Sequence, residues 1–144
     1  MRVNSFSQER ATIEEYITSN FDTFVTPIKF DNVDFLIKGG VTVTDATRES
    51  VWVRFTIQND DNVNTIIGNK RSRISGAVQA SIFVREREGT VLLRKVADEI
   101  YELLANRSVN GIEFNTSVLT PLPAQDGWYQ LVLTTDYYWD KCPA

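Results

Sequence analysis

The sequence predicts an α+β domain: a mostly antiparallel sheet with two helices packed on one side. Three observations carry this. Two segments place apolar residues at helical spacing, one near the start and one over Leu92–Leu104. Three runs, VWVRFTIQ, AVQASIFV and WYQLVLTTDYYW, alternate with the period of two that a strand requires. The length of 144 residues suits one domain, and 42% hydrophobic with 24% charged residues is enough to build a core. Within that single domain, residues 1–26 form an N-terminal helical region, and residues 27–139 hold the sheet and the second helix.

The first helix is expected from Ser5 to about Asn20. Ser5 and Gln8 fit a capping box, in which each side chain satisfies a free backbone N–H. Ile13, Tyr16 and Ile17 make one modest apolar stripe, with Glu9, Arg10, Glu14 and Glu15 among the polar positions. Pro27 ends helical character, and the alternation across Ile28, Lys29 and Phe30 reads as a short strand at about 27–31 with a turn at Asp31-Asn32. Leu36–Ser50, with Gly39-Gly40, is either an irregular arm or a weak edge strand.

VWVRFTIQ is the clearest strand. Val51, Val53, Phe55 and Ile57 face the core, and Trp52, Arg54, Thr56 and Gln58 face away. Trp52 beside Arg54 is unlike ordinary solvent-facing surface and suggests cover by a neighbour. A polar connection is expected over Asn59–Ser72, then a long strand over Ile74–Arg85 that pairs antiparallel with the first as an extended hairpin. Gly76 and Ala77 let another backbone approach closely. The second helix opens at Gly89-Thr90 with Thr90 as N-cap, and its broad stripe marks it as the helix that crosses the sheet. Asn110-Gly111 is a turn before the strand IEFNTSVL, and PLPAQDG is a loop. The last strand, from Trp128 to Trp139, carries aromatics on both faces, so both faces are expected to be covered.

Composition excludes several chemistries. There is no histidine, which removes the commonest general base, the usual zinc ligand and the Ser-His-Asp arrangement. Cys142 is the only cysteine, so no internal disulfide forms. No glycine loop for phosphate is present; GNKRS has neither the spacing nor the following helix of a P-loop. Asp60-Asp61 reads as a solvated turn. No cofactor or metal is implied. The net charge of -4 speaks against a dedicated nucleic-acid binder. The segment MRVNSFSQER lacks the apolar core of a secretion signal, and no apolar run reaches the roughly 20 residues of a membrane span, so a cytoplasmic protein is expected.

One run stands out against the acidic balance: GNKRSRISG gathers Lys70, Arg71 and Arg73 between two glycines. It reads as a solvated loop, as a contact to an acidic patch on another protein, or as a grip on nucleic acid.

Taken in order, PIKFDNVDF, WVRFTIQ, the arginine-rich segment closing on glycine, AVQASIFV, the helix and GWYQLVLTTDYYW resemble the tail terminator proteins of long-tailed bacteriophages, over about Pro27 to Tyr138. The resemblance implies a structural virion protein and not an enzyme. It implies a hexameric ring that sits on the last ring of the tail tube, ends tube polymerisation and offers a docking surface to the head. Its partners would be sister subunits, the tail tube protein and the head–tail connector, with DNA passing through the lumen without specific binding and no membrane involved. It places the protein at the head-proximal end of the tail, assembled in the host cytoplasm. Trp52, Arg54, Phe83, Trp128 and Tyr138 are then expected at ring or tube contacts. Lys70, Arg71 and Arg73 are expected to reach an acidic patch on an adjacent subunit or tube protein. A neck ring protein is the nearest alternative; a small ligand-binding or hydrolytic domain is a more distant one.

Overall fold

The computed structural model describes residues 2–21, 28–30, 35–37, 41–43, 51–66, 71–85, 91–125 and 127–142. In chain order the elements are α1 (Phe6–Asn20), β1 (Ile28–Phe30), β2 (Phe35–Ile37), β3 (Val41–Val43), β4 (Val51–Ile66), β5 (Arg71–Arg85), α2 (Val91–Leu104), β6 (Ser108–Val109), β7 (Ile112–Gln125) and β8 (Trp128–Lys141). The strands form one mixed sheet in the order β3-β2-β1-β4-β5-β8-β7-β6. β1 runs parallel to β4, and the other neighbours are antiparallel. The molecule is a single α+β domain dominated by strands.

The register sorts the side chains onto two faces. Val51, Val53 and Phe55 of β4 lie opposite Val84, Ile82 and Ala80 of β5, and these in turn lie opposite Tyr129, Leu131 and Leu133 of β8. This face meets both helices: Ile13, Ile17 and Phe21 at α1, and Leu93, Val96, Ala97, Ile100 and Leu104 from α2, belong to the same buried cluster. Phe21 meets Phe55 edge-on at 6.2 Å between centroids, and Phe30 stacks on Phe55 at 5.7 Å. Tyr16 donates its hydroxyl to the Leu103 carbonyl at 2.7 Å, which ties the helices to each other.

Caps and turns follow local chemistry. Ser5 Oγ accepts from the Gln8 N–H at 3.2 Å, as the capping box requires. The return bond is displaced by one residue: Gln8 Oε1 accepts from the Asn4 N–H at 2.8 Å. Asn110 and Gly111, at φ 47° and 91°, close the β6–β7 hairpin, the two positive φ values that a tight primed turn demands. The Thr90 cap and the Asp31-Asn32 turn lie outside the described residues.

Three expectations change. The polar connection from Asn59 to Ser72 is largely strand: β4 continues to Ile66, β5 begins at Arg71, and only residues 67–70 separate them. Arg71 and Arg73 therefore sit on a strand, not in a loop. Asn and Asp disfavour strands, but pairing of Val63–Ile66 with Arg71–Ile74 overrides propensity, with a register shift between Asn59 and Val63 absorbing the irregularity. PLPAQDG is also strand as far as Gln125. Beyond its start β7 pairs only with β8 among the described residues, and an edge strand tolerates Pro121 and Pro123 because their missing N–H groups are not needed there.

The third change is Glu9, which is not on the wet side of α1. It is 1% exposed. Its carboxylate accepts from the Tyr137 hydroxyl and from the Asn59 amide, at 2.8 Å to Oε1 and 3.2 Å to Oε2. Gly76 makes this possible. A Cβ there would stand 2.5 Å from the Gln58 carbonyl oxygen and 2.7 Å from the Tyr137 hydroxyl. Gly76 is thus the seat of the Tyr137 ring, which it faces across the β5–β8 ladder.

Gly76→Ala is expected to lower stability by about 1–3 kcal/mol in urea titration, since overpacking wins over the usual gain of a helpful alanine. Tyr137→Phe is expected to cost about 1–3 kcal/mol by removing one donor from a buried carboxylate. The two changes combined should fall short of additive, because both act on one hydroxyl.

Candidate interaction surface

Both helices cover one face of the sheet, so the residues singled out from the sequence are read on the other. The β4–β5 register sets Trp52 opposite Phe83 and Arg54 opposite Ser81, and the β5–β8 register sets Arg85 opposite Trp128. These positions converge. Trp52 stacks on Phe83 with centroids 4.2 Å apart and planes 12° from parallel, and Trp128 meets Trp52 edge-on at 6.0 Å. The Arg54 guanidinium stands 5.6 Å from the Phe83 centroid, within cation–π range. Trp52 is only 7% exposed, with Phe83 and Trp128 packed against it; Phe83 and Trp128 are half-buried and Arg54 is exposed. Parallel pairing sets Lys29 of β1 beside Arg54, adding a second cation to this end.

A separate group sits at the far end of the same face. Arg73 Nε donates to Asp140 Oδ1 at 2.9 Å and a terminal nitrogen donates to Oδ2 at 3.4 Å, a forked pair across the β5–β8 ladder. Its guanidinium lies 4.3 Å from the Tyr138 ring centroid. The Arg73 pKa is raised above its ordinary value, first by the hydrogen bond to Asp140 and then by the charge of Asp140 and by Tyr138, with burial acting in the opposite sense. Arg71 is a strand position opposite Ile66, and Lys70 lies outside the described residues.

The structure therefore brings Trp52, Arg54, Phe83 and Trp128 together, and separately Arg73 with Tyr138. It does not join the two groups: Phe83 and Arg73 are ten residues apart on β5, about 33 Å at the rise of an extended strand. Asp140 was not singled out from the sequence. Its signal was the alternation of β8, which puts it on the face of Tyr138, but the register that sets it against Arg73 is a tertiary fact.

A groove of about 720 Å³ runs between the helices, lined among others by Tyr16, Asn20, Phe21, Asp98, Glu102 and Arg107. Asp98 and Glu102 are exposed, whereas the buried carboxylate, Glu9, is bound elsewhere. Among the described residues, no cluster of metal-ligating side chains occurs, and no helix is long and apolar enough to cross a membrane.

No family model and no curated protein matches the chain. A solved protein structure is similar to it with a TM-score of 0.67 at 15% sequence identity, over 97% of this chain and the whole of the other. At that identity the likeness shows a shared fold.

Arg73→Ala is expected to lower stability by no more than about 1 kcal/mol, because the Arg73 side of the pair with Asp140 is more than a third exposed and screened by solvent. Trp52→Ala should cost about 3–5 kcal/mol, since it removes a buried ring on which Phe83 and Trp128 pack. Equilibrium denaturation of both variants checks the contrast.

Proposed function

We propose that this chain is a ring-forming structural subunit of a long-tailed phage, the protein that caps the tail tube, ends its growth and offers the head a docking surface. The observation that carries the reading is the one-sided build of the domain. Both helices lie on one face of the mostly antiparallel sheet, and the other face holds a half-covered cluster of Trp52, Phe83 and Trp128 with cations beside it. Stacked aromatics next to arginine are the residue types that dominate protein interfaces. The order of sequence segments from Pro27 to Tyr138 points to the same family.

In this reading the Trp52 cluster and the Arg73–Tyr138 group meet different neighbours, because they lie at opposite ends of one face. A closed ring needs such unlike patches, one on each side of the subunit. Lys70 and Arg71, which precede Arg73 in the sequence, are proposed to meet an acidic surface on a sister subunit or the tube protein. Arg73 already has Asp140 as an internal partner, so its part is to hold Tyr138 in place. An acidic subunit suits a conduit through which DNA passes without being held. A hydrolytic reading would call for facing, desolvated carboxyls in a cleft, whereas the groove carboxylates are open to water.

Electron microscopy of particles made without this protein is expected to show overlong tails. Normal-length tails without heads would assign it to the neck instead, and normal virions would remove the proposal. Arg71→Glu with Lys70→Glu should leave the subunit folded and abolish its capture by purified tails.

A further inference from the structure

Among the described residues, each end of the sheet has a stretch of strand with no partner on its outer side. Edge strands present unpaired N–H and C=O groups, and proteins commonly blunt them with charges, prolines or cover. From Phe114 to Gln125, β7 reads FNTSVLTPLPAQ, without one charged residue in a chain that is 24% charged. Its start is covered: the Phe114 N–H donates to the Arg107 carbonyl, and the Asn115 carbonyl accepts from the Asn106 N–H. Its end is blunted by Pro121 and Pro123. Between them, Thr116–Thr120 has no strand on the side away from β8 among the described residues. Thr116, Val118 and Thr120 are exposed there, Val118 by 61%.

The opposite end of the sheet is β3, the outermost strand among the described residues. Its sequence, Val41-Thr42-Val43, is also uncharged and is β-branched at every position. Such residues favour extended pairing.

We propose that Thr116–Thr120 of β7 pairs with β3 of a second copy of this chain, so that the sheet continues from subunit to subunit. The proposal rests on the ring reading and names its contact. The two edges differ and lie at opposite ends of one sheet, so the join is head-to-tail. A rotation that closes leaves neither edge bare, whereas a two-fold β7–β7 join would leave both copies of β3 open. The proline-free run of β7 is long enough for the three residues of β3, and Pro121 sets the limit of the added ladder. Backbone bonds supply the attraction, and the alternating side chains set the register.

The test uses the full chain, alone and with purified tail tube protein, and reads mass in solution and rings by microscopy. The Val118→Lys, Thr120→Lys double variant puts two charges on an exposed edge; circular dichroism is expected to match the unmodified chain. Ring formation should need a roughly tenfold or greater rise in concentration. A second arm replaces Cys142 by Ser and adds Thr42→Cys together with Thr116→Cys, Val118→Cys or Thr120→Cys. Oxidation of its rings is expected to give a ladder of cross-linked multiples for at least one pair, and none for either new cysteine alone. Lysine variants that assemble at the ordinary concentration, or rings that yield no cross-link with any pair, overturn the proposal while the ring reading stands. An unmodified chain that forms no ring in either setting overturns the ring reading, and this proposal with it.

Discussion

The fold depends on a carboxylate where carboxylates are rarely left. Glu9 is sealed between α1 and the sheet, and desolvating its charge would be costly without donors. Tyr137 from β8 and Asn59 from β4 supply them, so one side chain fastens the helix to two strands that are not adjacent. The strand between them, β5, must give way for the ring to pass, and it does so by having no side chain at Gly76. Three strands and one helix are thereby set in a single register relation.

That fastening explains why the helices share one face. With α1 held over β4 and β8, α2 packs on the same face over β5, β8 and β7, and Tyr16 couples the two helices. Among the described residues, the other face carries no helix. It solves the problem locally, by stacking Trp52 on Phe83 and closing the edge with Trp128. A single-sided layer with aromatic rings partly covered by one another is the structural basis for reading this molecule as a component of something larger.

The strands with period-two alternation were legible because burial on one face writes itself into the residue order: Val51, Val53 and Phe55 inward, Trp52 and Arg54 outward. α2 was legible for the same reason at period 3.6. The extension of β4 and β5 past Asn59, and of β7 through Pro121, was hidden, since strand length there is decided by neighbours and not by local preference. Glu9 illustrates a signal that was present and misassigned. It stands four residues before Ile13 and eight before Ile17, on the buried stripe itself, but its chemistry argued for water. Of the candidate surface, the partners Trp52 and Arg54 could be seen on one strand. The separation of Trp52, Arg54, Phe83 and Trp128 from Arg73 and Tyr138 could not, because separation along β5 means nothing until the pairing with β8 is known.

The register shift between Asn59 and Val63 has a mechanical corollary. An irregularity of this kind bends the strand and interrupts the ladder, so the hairpin beyond it is a lever hinged on the body of the sheet. β8 runs straight past that point, pairing with β5 from Arg85 down to Ser72, and so acts as the splint that keeps the lever in line. Any force applied at the outer end of the arm is then carried into the centre of the domain along β8, through Tyr137, to the same anchor that holds α1.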